Sequence, residues 1–214
     1  AKMSGAKKLI IIGAGGHARS VLDIALQNAD YEILGCIDPA PGEVLGIPVI
    51  GSDKDLETFF AQGIRHIFVA IGSNSVRHKL FNQALSIGFE PVNVISRHAA
   101  ISPRAHLGKG ICIMAGAVIN VNTVIEDNSI INTRCSIDHD CRIGKSSHIA
   151  PGVALSGTVK SGEGVHIGTG ASVIDGITIG DWAYIGGGAV VVKDIPPGVM
   201  AYGVPAKVVR ESLS

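Results

Sequence analysis

A six-residue repeat governs the second half of this chain. An aliphatic residue recurs at every sixth position from Ile95 to Val191, and Ser161 is the one exception. The pattern is not the simple two-residue alternation of an exposed strand, and a six-residue period drifts out of phase with the 3.6 residues per turn of a helix. A short fixed period that persists over so many repeats predicts a repeat architecture rather than an ordinary globular domain.

A second signal within each repeat indicates how the repeats stack. The fourth residue after each aliphatic position is small or aliphatic, as at Ala117 and Val153, and glycine often follows the aliphatic residue directly, as at Gly144. We interpret three hexads as one triangular coil of 18 residues, in which glycine supplies turn dihedrals that a Cβ would resist. A Val- and Ile-rich sandwich would need irregular strand spacing instead. Residues 97–195 are therefore predicted to form a left-handed parallel β-helix of hexapeptide repeats.

Charge, hydropathy and cysteine usage exclude several classes of protein. Lys+Arg and Asp+Glu both number 18, so there is no basic surplus with which to bind nucleic acid. No long apolar run and no signal peptide are present, so no membrane-spanning helix is predicted. The cysteines lack metal-ligand spacing, and Cys135 and Cys141 occupy the small position of the repeat. This pattern predicts buried reduced thiols, no metal site and a cytoplasmic location.

The part of the chain before the repeat follows another pattern. A basic start and an apolar run at Lys7–Ile12 predict a buried parallel strand that leads through a glycine-rich turn into an amphipathic segment. The further predicted elements are a strand at Glu32–Ile37, a helix that starts near Ser52 with a capping signal, a strand at His66–Ile71, a helix at Val76–Ser86 and a strand at Val92–Ile95. Residues 7–96 are thus predicted to form a small α/β, Rossmann-like domain. We interpret residues 1–6 as a non-native leader and residues 196–214 as a C-terminal tail.

The glycine-rich turn predicts a phosphate site. Gly13, Gly15 and Gly16 can bring backbone N–H groups close to a phosphate at the start of a helix, where the helix dipole favours an anion. His17 falls in the first helical turn and either meets a pyrophosphate or is an ordinary surface histidine, while Asp38 is placed to meet a ribose. The pattern resembles a dinucleotide fingerprint, but the domain is expected to have about half the strands of a full NAD site. A nucleotide-sugar therefore fits better, and the alternative is that the glycines only make a tight turn.

One histidine of the repeat is flanked by carboxylates. In Asp138-His139-Asp140, a carboxylate can orient the imidazole and stabilise its protonated form, which makes His139 a candidate general base. Gly157 follows His139 by one coil and is expected to stack above it, leaving backbone open to a ligand. His148 is expected on another face, where it could approach His139 of a neighbouring subunit in a trimer. The alternative is that both are surface histidines.

The end of the repeat suggests a site for a long, thin ligand. Gly187 lies at the centre of three consecutive glycines that would leave backbone bare, and the tail adds the cations Lys207 and Arg210. Coenzyme A has a matching shape, with a pantetheine arm and a phosphorylated nucleotide that Lys207 or Arg210 could bind. The alternative is a pair of solvated charges.

Together these motifs resemble the PglD/NeuD-type family of sugar acyltransferases. The resemblance rests on the glycine-rich turn with His17, on the segment from Ala70 to Asn74 with Arg77, on the Asp-His-Asp motif, on the triple glycine and on Gly203–Lys207. Within the family, the chain is most similar to the UDP-4-amino-sugar N-acetyltransferases of the bacillosamine pathway, which serve bacterial protein glycosylation. A close member carries Glu on both sides of the histidine, where this chain carries Asp.

The resemblance implies a mechanism and a division of the chain. A homotrimer would bind acetyl-CoA between adjacent β-helices, and His139 would deprotonate the sugar 4-amine while Asp140 orients His139 and a backbone N–H near Gly157 steadies the thioester carbonyl. No covalent enzyme intermediate is expected. In some bacteria such a domain is fused to a membrane-bound sugar-phosphate transferase. The implied nucleotide-sugar contacts are Gly13, Gly15, Gly16, His17, Asp38, Gly72, Asn74 and Arg77, and the implied CoA contacts are His148, Gly157, Gly187 and Lys207.

Other functions share much of this pattern. A sugar O-acetyltransferase of the sialic acid type and an N-acetyltransferase for a GDP-linked amino sugar would use the same fold and the same histidine. A β-helix that only binds a nucleotide-sugar would need no base, and the His139-Asp140 pair argues against it. An NAD-dependent enzyme would bind nicotinamide.

Overall fold

A computed structural model describes residues 5–211 and divides the chain into two compact units, one that ends at Val94 and one that begins at Ile95. The predicted boundary between residues 96 and 97 lies close to this division. Residues 1–4, which carry most of the interpreted leader, and residues 212–214 of the predicted tail lie outside the described residues.

The first unit is built on a mixed sheet in the strand order β3-β4-β2-β1-β5-β6, with β3 and β4 antiparallel and the other neighbours parallel. Its elements, within the described residues, are β1 Lys7–Ile12, α1 Gly16–Ala25, β2 Tyr31–Ile37, β3 Glu43–Val44, β4 Ile47–Gly51, a 3-10 turn Asp53–Asp55, α2 Leu56–Ala61, β5 His66–Val69, α3 Asn74–Ile87 and β6 Glu90–Pro91. The predicted Rossmann-like domain is confirmed, and so is the capping signal at Ser52.

Two details of the first unit differ from the sequence prediction. The described sheet has six strands, so the expectation of about half a dinucleotide-binding sheet is wrong, although β3 and β6 have two residues each. The strand predicted at Val92–Ile95 is present only at Val94–Ile95, and it belongs to the β-helix rather than to the sheet of the first unit. The chain pairs with β5 at Glu90–Pro91 and then starts the β-helix at Val94–Ile95, because it leaves one sheet and joins another within a few residues.

The position of β1 explains why its apolar run is continuous. β1 pairs in parallel with β2 on one side and β5 on the other. Leu9, Ile10, Ile11 and Ile12 are all at most 2% exposed, as expected of a central strand that is covered on both faces. β1 therefore delivers the following Gly13 to the carboxyl edge of the sheet, between the ends of β2 and β5.

The second unit is a left-handed parallel β-helix with three faces. Neighbouring strands of a face pair 18 residues apart up to the last coil, as Ser136 does with Ala154, which confirms the predicted coil length. The first face holds β7 Val94–Ile95, β10 Cys112–Ile113, β13 Ile130–Ile131, β16 His148–Ile149, β19 His166–Ile167, β22 Tyr184–Ile185, β24 Val199–Tyr202 and β25 Lys207–Glu211. The second face holds β8 Ala100–Ile101, β11 Val118–Ile119, β14 Ser136–Ile137, β17 Ala154–Leu155, β20 Ser172–Val173 and β23 Val190–Val191. The third face holds β9 His106–Leu107, β12 Val124–Ile125, β15 Arg142–Ile143, β18 Lys160–Ser161 and β21 Thr178–Ile179.

The aliphatic position of the repeat fills the prism, as predicted. From Ile113 to Val191 these residues are at most 2% exposed, except Ser161 at 6%. Ile95 is 39% exposed, because the first coil is stacked on one side only. The repeating interior therefore forms one continuous core, with the small fourth residues filling its corners.

The predicted reason for the repeated glycines is wrong. The residue directly after the aliphatic position, such as Gly144, is not in the left-handed region; a Cβ there would overlap the carbonyl oxygen of Gly162 in the next coil, so close packing of coils requires the glycine. The left-handed turn lies two residues later, with φ between 56° and 74°. It is occupied by Gly110, Gly116, Asn122, Asn128, Arg134, Asp140, Ser146, Gly152, Thr158, Gly164, Gly170, Gly176, Trp182 and Gly188.

The predicted tail belongs to the β-helix. β24 stacks in parallel on β22 as a further strand of the first face, and β25 returns antiparallel to it. The sheet therefore extends beyond residue 195, where the hexad pattern stops. Among the residues that the structure describes, no helix has the length and apolar character needed to cross a membrane.

Candidate active site

The Asp-His-Asp motif lies at the corner between the second and third faces, where β14 ends and before β15 begins. The side chains of His139 and Asp140 are about half exposed, at 52% and 48%, and Nδ1 of His139 lies 2.8 Å from Oδ2 of Asp140. With Nδ1–H donating to the carboxylate, Nε2 is the basic nitrogen. The hydrogen bond to Asp140, with a smaller contribution from the charges of Asp138 and Asp140, raises the pKa of His139. The shorter Asp therefore reaches the ring although the similar family member has Glu.

Gly157 stacks on the imidazole, as the 18-residue coil predicts. A Cβ on Gly157 would lie 2.5 Å from both Cε1 and Nε2 of His139. Gly157 is buried beneath the imidazole, so the open space that was expected at this glycine is filled by the ring of His139. The Gly157 N–H takes no part in the strand ladder, and no acceptor for it occurs among residues 5–211.

Two asparagines one coil below the motif are residues that the sequence reasoning missed. Nδ2 of Asn122 donates to Oδ1 of Asp140 at 3.1 Å, and Nδ2 of Asn120 donates to Oδ1 of Asp138 at 2.9 Å. Oδ1 of Asp138 also accepts the backbone N–H of His139 at 2.8 Å. Subtracting one coil length of 18 from positions 138 and 140 would have found both asparagines.

His148 lies on the first face, as predicted, and so does not share the corner of His139. Its Nε2 lies 3.0 Å from Nδ2 of Asn132. The His148 ring packs edge-on against His166 with a centroid distance of 4.9 Å, and His166 stacks on Tyr184 at 4.5 Å. His148 is therefore a half-buried member of an aromatic ladder, and the interpretation of it as a simple surface histidine is wrong.

The three glycines near the end of the prism have different surroundings. Gly186 is buried, and a Cβ there would lie 2.7 Å from Cβ of Tyr202, so the expectation of bare backbone is wrong at this position. Gly187 and Gly188 are exposed. Lys207 lies in the exposed strand β25, as does Arg210, whose Nε lies 3.3 Å from Sδ of Met200.

In the first unit, the glycines of the phosphate motif serve two purposes. Gly13 has a φ of 115°, and a Cβ there would lie 2.6 Å from the carbonyl oxygen of Ala70, so this glycine is required by the fold. Gly15 and Gly16 are exposed, with open space where a Cβ would be. α1 begins at Gly16 without a side-chain cap and without an acidic residue in its first turn, which keeps its N-terminus suited to an anion.

Asp38 organises the edge of a cleft of about 520 Å³ that Gly13 also lines. Oδ2 of Asp38 accepts the N–H of Ala14 at 3.0 Å, and Oδ1 accepts the N–H of Ala40 at 3.0 Å. The carboxylate thus ties the end of β2 to the glycine-rich turn. Asp53 and Lys79 line the same cleft, and the sequence reasoning missed both.

His17 is not an ordinary surface histidine. Burial, with a further contribution from the Arg77 charge, lowers its pKa to about 4, and its Nε2 is buried without a hydrogen-bond partner among the described residues. The ring is therefore neutral at pH 7, and any pyrophosphate contact would involve a neutral imidazole.

Arg77 does not present its guanidinium at the surface. The residue is 1% exposed; its Nη1 donates to the carbonyl oxygens of Ile71 at 2.9 Å and Gly72 at 3.1 Å, and its Nη2 donates to Oδ1 of Asn74 at 2.7 Å. The prediction that Arg77 contacts the nucleotide-sugar is therefore wrong, because the side chain is buried in its own turn. Its place is to shape the turn that carries Gly72 and Asn74.

Replacement of Arg77 by Met is expected to lower the free energy of unfolding by about 2–4 kcal/mol, because it leaves the acceptors of this turn without their buried donor. Urea denaturation measures the change. Arg19→Met, at an exposed position on α1, is the control and should change stability by no more than about 0.5 kcal/mol. Equal effects of the two substitutions would contradict the role of Arg77 in the turn.

The cysteines offer no nucleophile. All four are buried and free, as predicted for Cys135 and Cys141, and burial raises the pKa of Cys135 to about 12 and that of Cys36 to about 11. Within residues 5–211, no group of three His, Cys, Asp or Glu side chains is arranged to hold a metal ion.

A left-handed β-helix with a histidine-carboxylate pair at one corner, preceded by a Rossmann-like domain, defines the class of hexapeptide-repeat acyltransferases. Residues 8–84 match the family model of the PglD N-terminal domain, and residues 122–157 match that of the bacterial transferase hexapeptide (six repeats). The chain belongs to the PglD/NeuD-type family of sugar acyltransferases. At this level the prediction of an acetyl-CoA-dependent sugar N-acetyltransferase is confirmed.

Similar structures cover nearly the whole chain. PerB from Caulobacter crescentus, solved with CoA and GDP-perosamine, is 44% identical with a TM-score of 0.91, over 94% of this chain and 97% of that one. The acetyltransferase domain of PglB from Neisseria gonorrhoeae FA1090 is 39% identical with a TM-score of 0.91, over 95% of this chain and 100% of that one. An uncharacterized protein of Acanthamoeba polyphaga mimivirus is 35% identical over 102 residues, 47% of this chain, and the match spans 20% of that curated relative's length.

Proposed function

We propose that this chain transfers the acetyl group of acetyl-CoA directly to the 4-amino group of a UDP-linked amino-dideoxy sugar, with His139 as the general base. One observation carries the proposal: Nδ1 of His139 is held by Asp140, which leaves Nε2 as the basic nitrogen at an accessible corner of the β-helix. A β-helix that only bound a nucleotide-sugar would have no need of this arrangement.

The proposed reaction needs one group that accepts the amine proton and one hydrogen-bond donor that stabilises the oxyanion. As the amine attacks the thioester carbonyl and the C–N bond forms, Nε2 of His139 accepts the amine proton, and the Asp140 carboxylate stabilises the resulting imidazolium. The Gly157 N–H stabilises the oxyanion of the tetrahedral intermediate. When the C–S bond breaks, the imidazolium returns the proton to the departing CoA thiolate. Because the pKa of His139 is raised, kcat/KM should increase as the pH rises through that pKa.

The two substrates are assigned to different units. The nucleotide-sugar binds the first unit at the start of α1 and in the cleft beside Asp38, with Gly72 and Asn74 at the neighbouring turn. Acetyl-CoA binds along the β-helix, with Gly187 beside its pantetheine arm, Lys207 at its phosphates and His148 reaching it from a neighbouring subunit of a homotrimer. Relatives solved with CoA and GDP-perosamine, or with acetyl coenzyme A, support these two classes of substrate.

A GDP-linked amino sugar is the second candidate. PerB, which is solved with GDP-perosamine, favours it. The cleft adds a physical reason, because Asp53 on its wall can accept from both N1–H and N2–H of guanine, whereas uracil offers a carboxylate only its N3–H. The nucleotide is therefore the part of the proposal that an assay must decide first.

The cellular setting is also proposed. We place the chain in the cytoplasm, where acetyl-CoA is available. The Neisseria relative is itself described as a domain of PglB, which supports the idea that this chain, too, is fused to a membrane-bound sugar-phosphate transferase.

The test is thiol release from acetyl-CoA with three acceptors in parallel: a UDP-linked 4-amino-dideoxy sugar, GDP-perosamine and free sialic acid. We expect release with the UDP-sugar and a product that resists hydroxylamine, as an amide does. Faster release with GDP-perosamine would favour a GDP-linked amino sugar as the substrate. Release only with sialic acid, giving a hydroxylamine-labile ester, would contradict N-acetylation of a nucleotide-sugar.

A further inference from the structure

A polar layer without an assigned role lies directly beneath the Asp-His-Asp corner. Asn120 and Asn122 precede Asp138 and Asp140 by one coil, and each asparagine donates its side-chain N–H to the carboxylate above it. Val121 lies between them, and its carbonyl oxygen accepts the backbone N–H of Asp140 at 3.0 Å. The corner therefore rests on an Asn-Val-Asn segment of the preceding coil.

The two oxygens of Asp140 have separate partners. Oδ2 accepts from Nδ1 of His139 at 2.8 Å, and Oδ1 accepts from Nδ2 of Asn122 at 3.1 Å. The terminal torsion of an Asp side chain is intrinsically broad, so a carboxylate with one partner can rotate easily. Asn122 and Asp140 share the left-handed repeat position, with φ of 60° and 57°, which aligns their side chains one above the other. Two bonds on opposite oxygens fix the torsion.

We propose that Asn122 is a positioning residue, which holds the Asp140 carboxylate against Nδ1 of His139 and so maintains the base in its active orientation. The inference rests on the proposed role of His139 as the general base. Asn120 donates to Oδ1 of Asp138, and the same oxygen accepts the backbone N–H of His139.

The neutrality of the asparagine is part of the inference. The charged groups that act on His139 are Asp138 and Asp140, and the coil above contributes Gly157, which has no side chain. A Lys or Arg beneath Asp140 would neutralise the carboxylate that stabilises the imidazolium. An amide donor fixes the geometry and leaves the negative charge available to the ring.

The repeat itself supplies a clean substitution. Glycine occupies the same left-handed position in other coils, for example at Gly116 and Gly152, so Asn122→Gly removes the side chain without straining the backbone. Asn128→Gly is the control for removal of an asparagine at this repeat position. Asn128 has a φ of 61° and donates to Oγ of Ser146 one coil above at 2.9 Å, but it lies at another corner.

The experiment is an NMR titration of the histidine side chains in the full chain, with the His139 signal assigned by its loss in His139→Gln. In the parent we expect His139 to titrate above the ordinary value of 6.5. In Asn122→Gly the pKa should fall toward that value, because the loosened carboxylate stabilises the imidazolium less, whereas Asn128→Gly should match the parent. An unchanged titration in Asn122→Gly would overturn the inference.

A kinetic readout separates this inference from the proposed function. If the chain transfers acetyl groups, Asn122→Gly should lower kcat about tenfold with KM for acetyl-CoA unchanged, and should shift the acid limb of kcat/KM to lower pH. An altered titration without acetyl transfer in the parent would sustain the role of Asn122 and refute the proposed function. If the parent transfers acetyl groups but Asn122→Gly changes neither the titration of His139 nor the acid limb of kcat/KM, the proposed function would stand and the role of Asn122 would be refuted.

Discussion

Replacement of His139 by Gln is expected to slow acetyl transfer by about 10²–10⁴-fold, with KM for acetyl-CoA close to that of the parent. The side chain keeps a similar size but cannot accept the amine proton. Asp140 would also lose the ring whose protonated form it stabilises, because its Oδ2 lies 2.8 Å from Nδ1. The dependence on pH should change in the same variant: the parent gains activity as His139 loses its proton, and the variant should lose this acid limb.

Steady-state kinetics of thiol release between pH 5 and pH 9 would measure both effects. His106→Gln, at an exposed histidine on the third face, is the control and should keep the parent activity and the parent pH profile. A His139→Gln variant that retained more than about a tenth of the parent kcat would exclude His139 as the general base, since a base contributes at least about 10²-fold.

Gly157→Ala is expected to cost about 10²-fold in kcat, the scale of a displacement of about 1 Å at a reacting group. The new Cβ would lie 2.5 Å from Nε2 and Cε1 of His139, so the ring must move away from its place at the corner. The backbone itself should accept the alanine, because Gly157 is not in the left-handed region and the same repeat position elsewhere carries Lys109 or Lys145.

The thermal midpoint and CoA binding should therefore stay close to the parent values while kcat falls. Lys145→Ala, at the equivalent position two hexads earlier, is the control for a change of side chain at this position of the repeat. A variant that lost stability and activity together would indicate that Gly157 is required for the fold, and would remove the argument that its absent side chain makes room for the base.

The coil period made part of this site predictable from the sequence. It placed Gly157 above His139, and the inward positions predicted the buried thiols of Cys135 and Cys141. The repeat is favourable for such reasoning because each coil contacts only its neighbours, so sequence separation converts directly into spatial separation. The same arithmetic would have found Asn122, which was missed because only the coil above the motif was considered.

Other features could not be read in this way. The burial of Arg77 depends on the turn after β5, where several acceptors converge on one guanidinium, and no local pattern distinguishes that from an exposed contact. The glycines of the repeat were assigned to the wrong cause because close packing and a left-handed φ both favour glycine. The structure distinguishes the two causes: Gly144 makes room for the next coil, whereas Gly152 has a φ of 71°.

Because the coils rise uniformly, the number of coils between two residues sets their separation along the β-helix. His139 and Gly157 belong to successive coils, and further coils separate them from β24 and β25 at the end of the prism. Insertion of one complete 18-residue coil above Gly157 would leave the ring and its glycine in register. It would move the terminal hairpin away by one strand spacing, about 4.8 Å. The number of coils thus sets how long a ligand must be to touch both ends, and insertion of one or two hexads would turn the hairpin toward a different face.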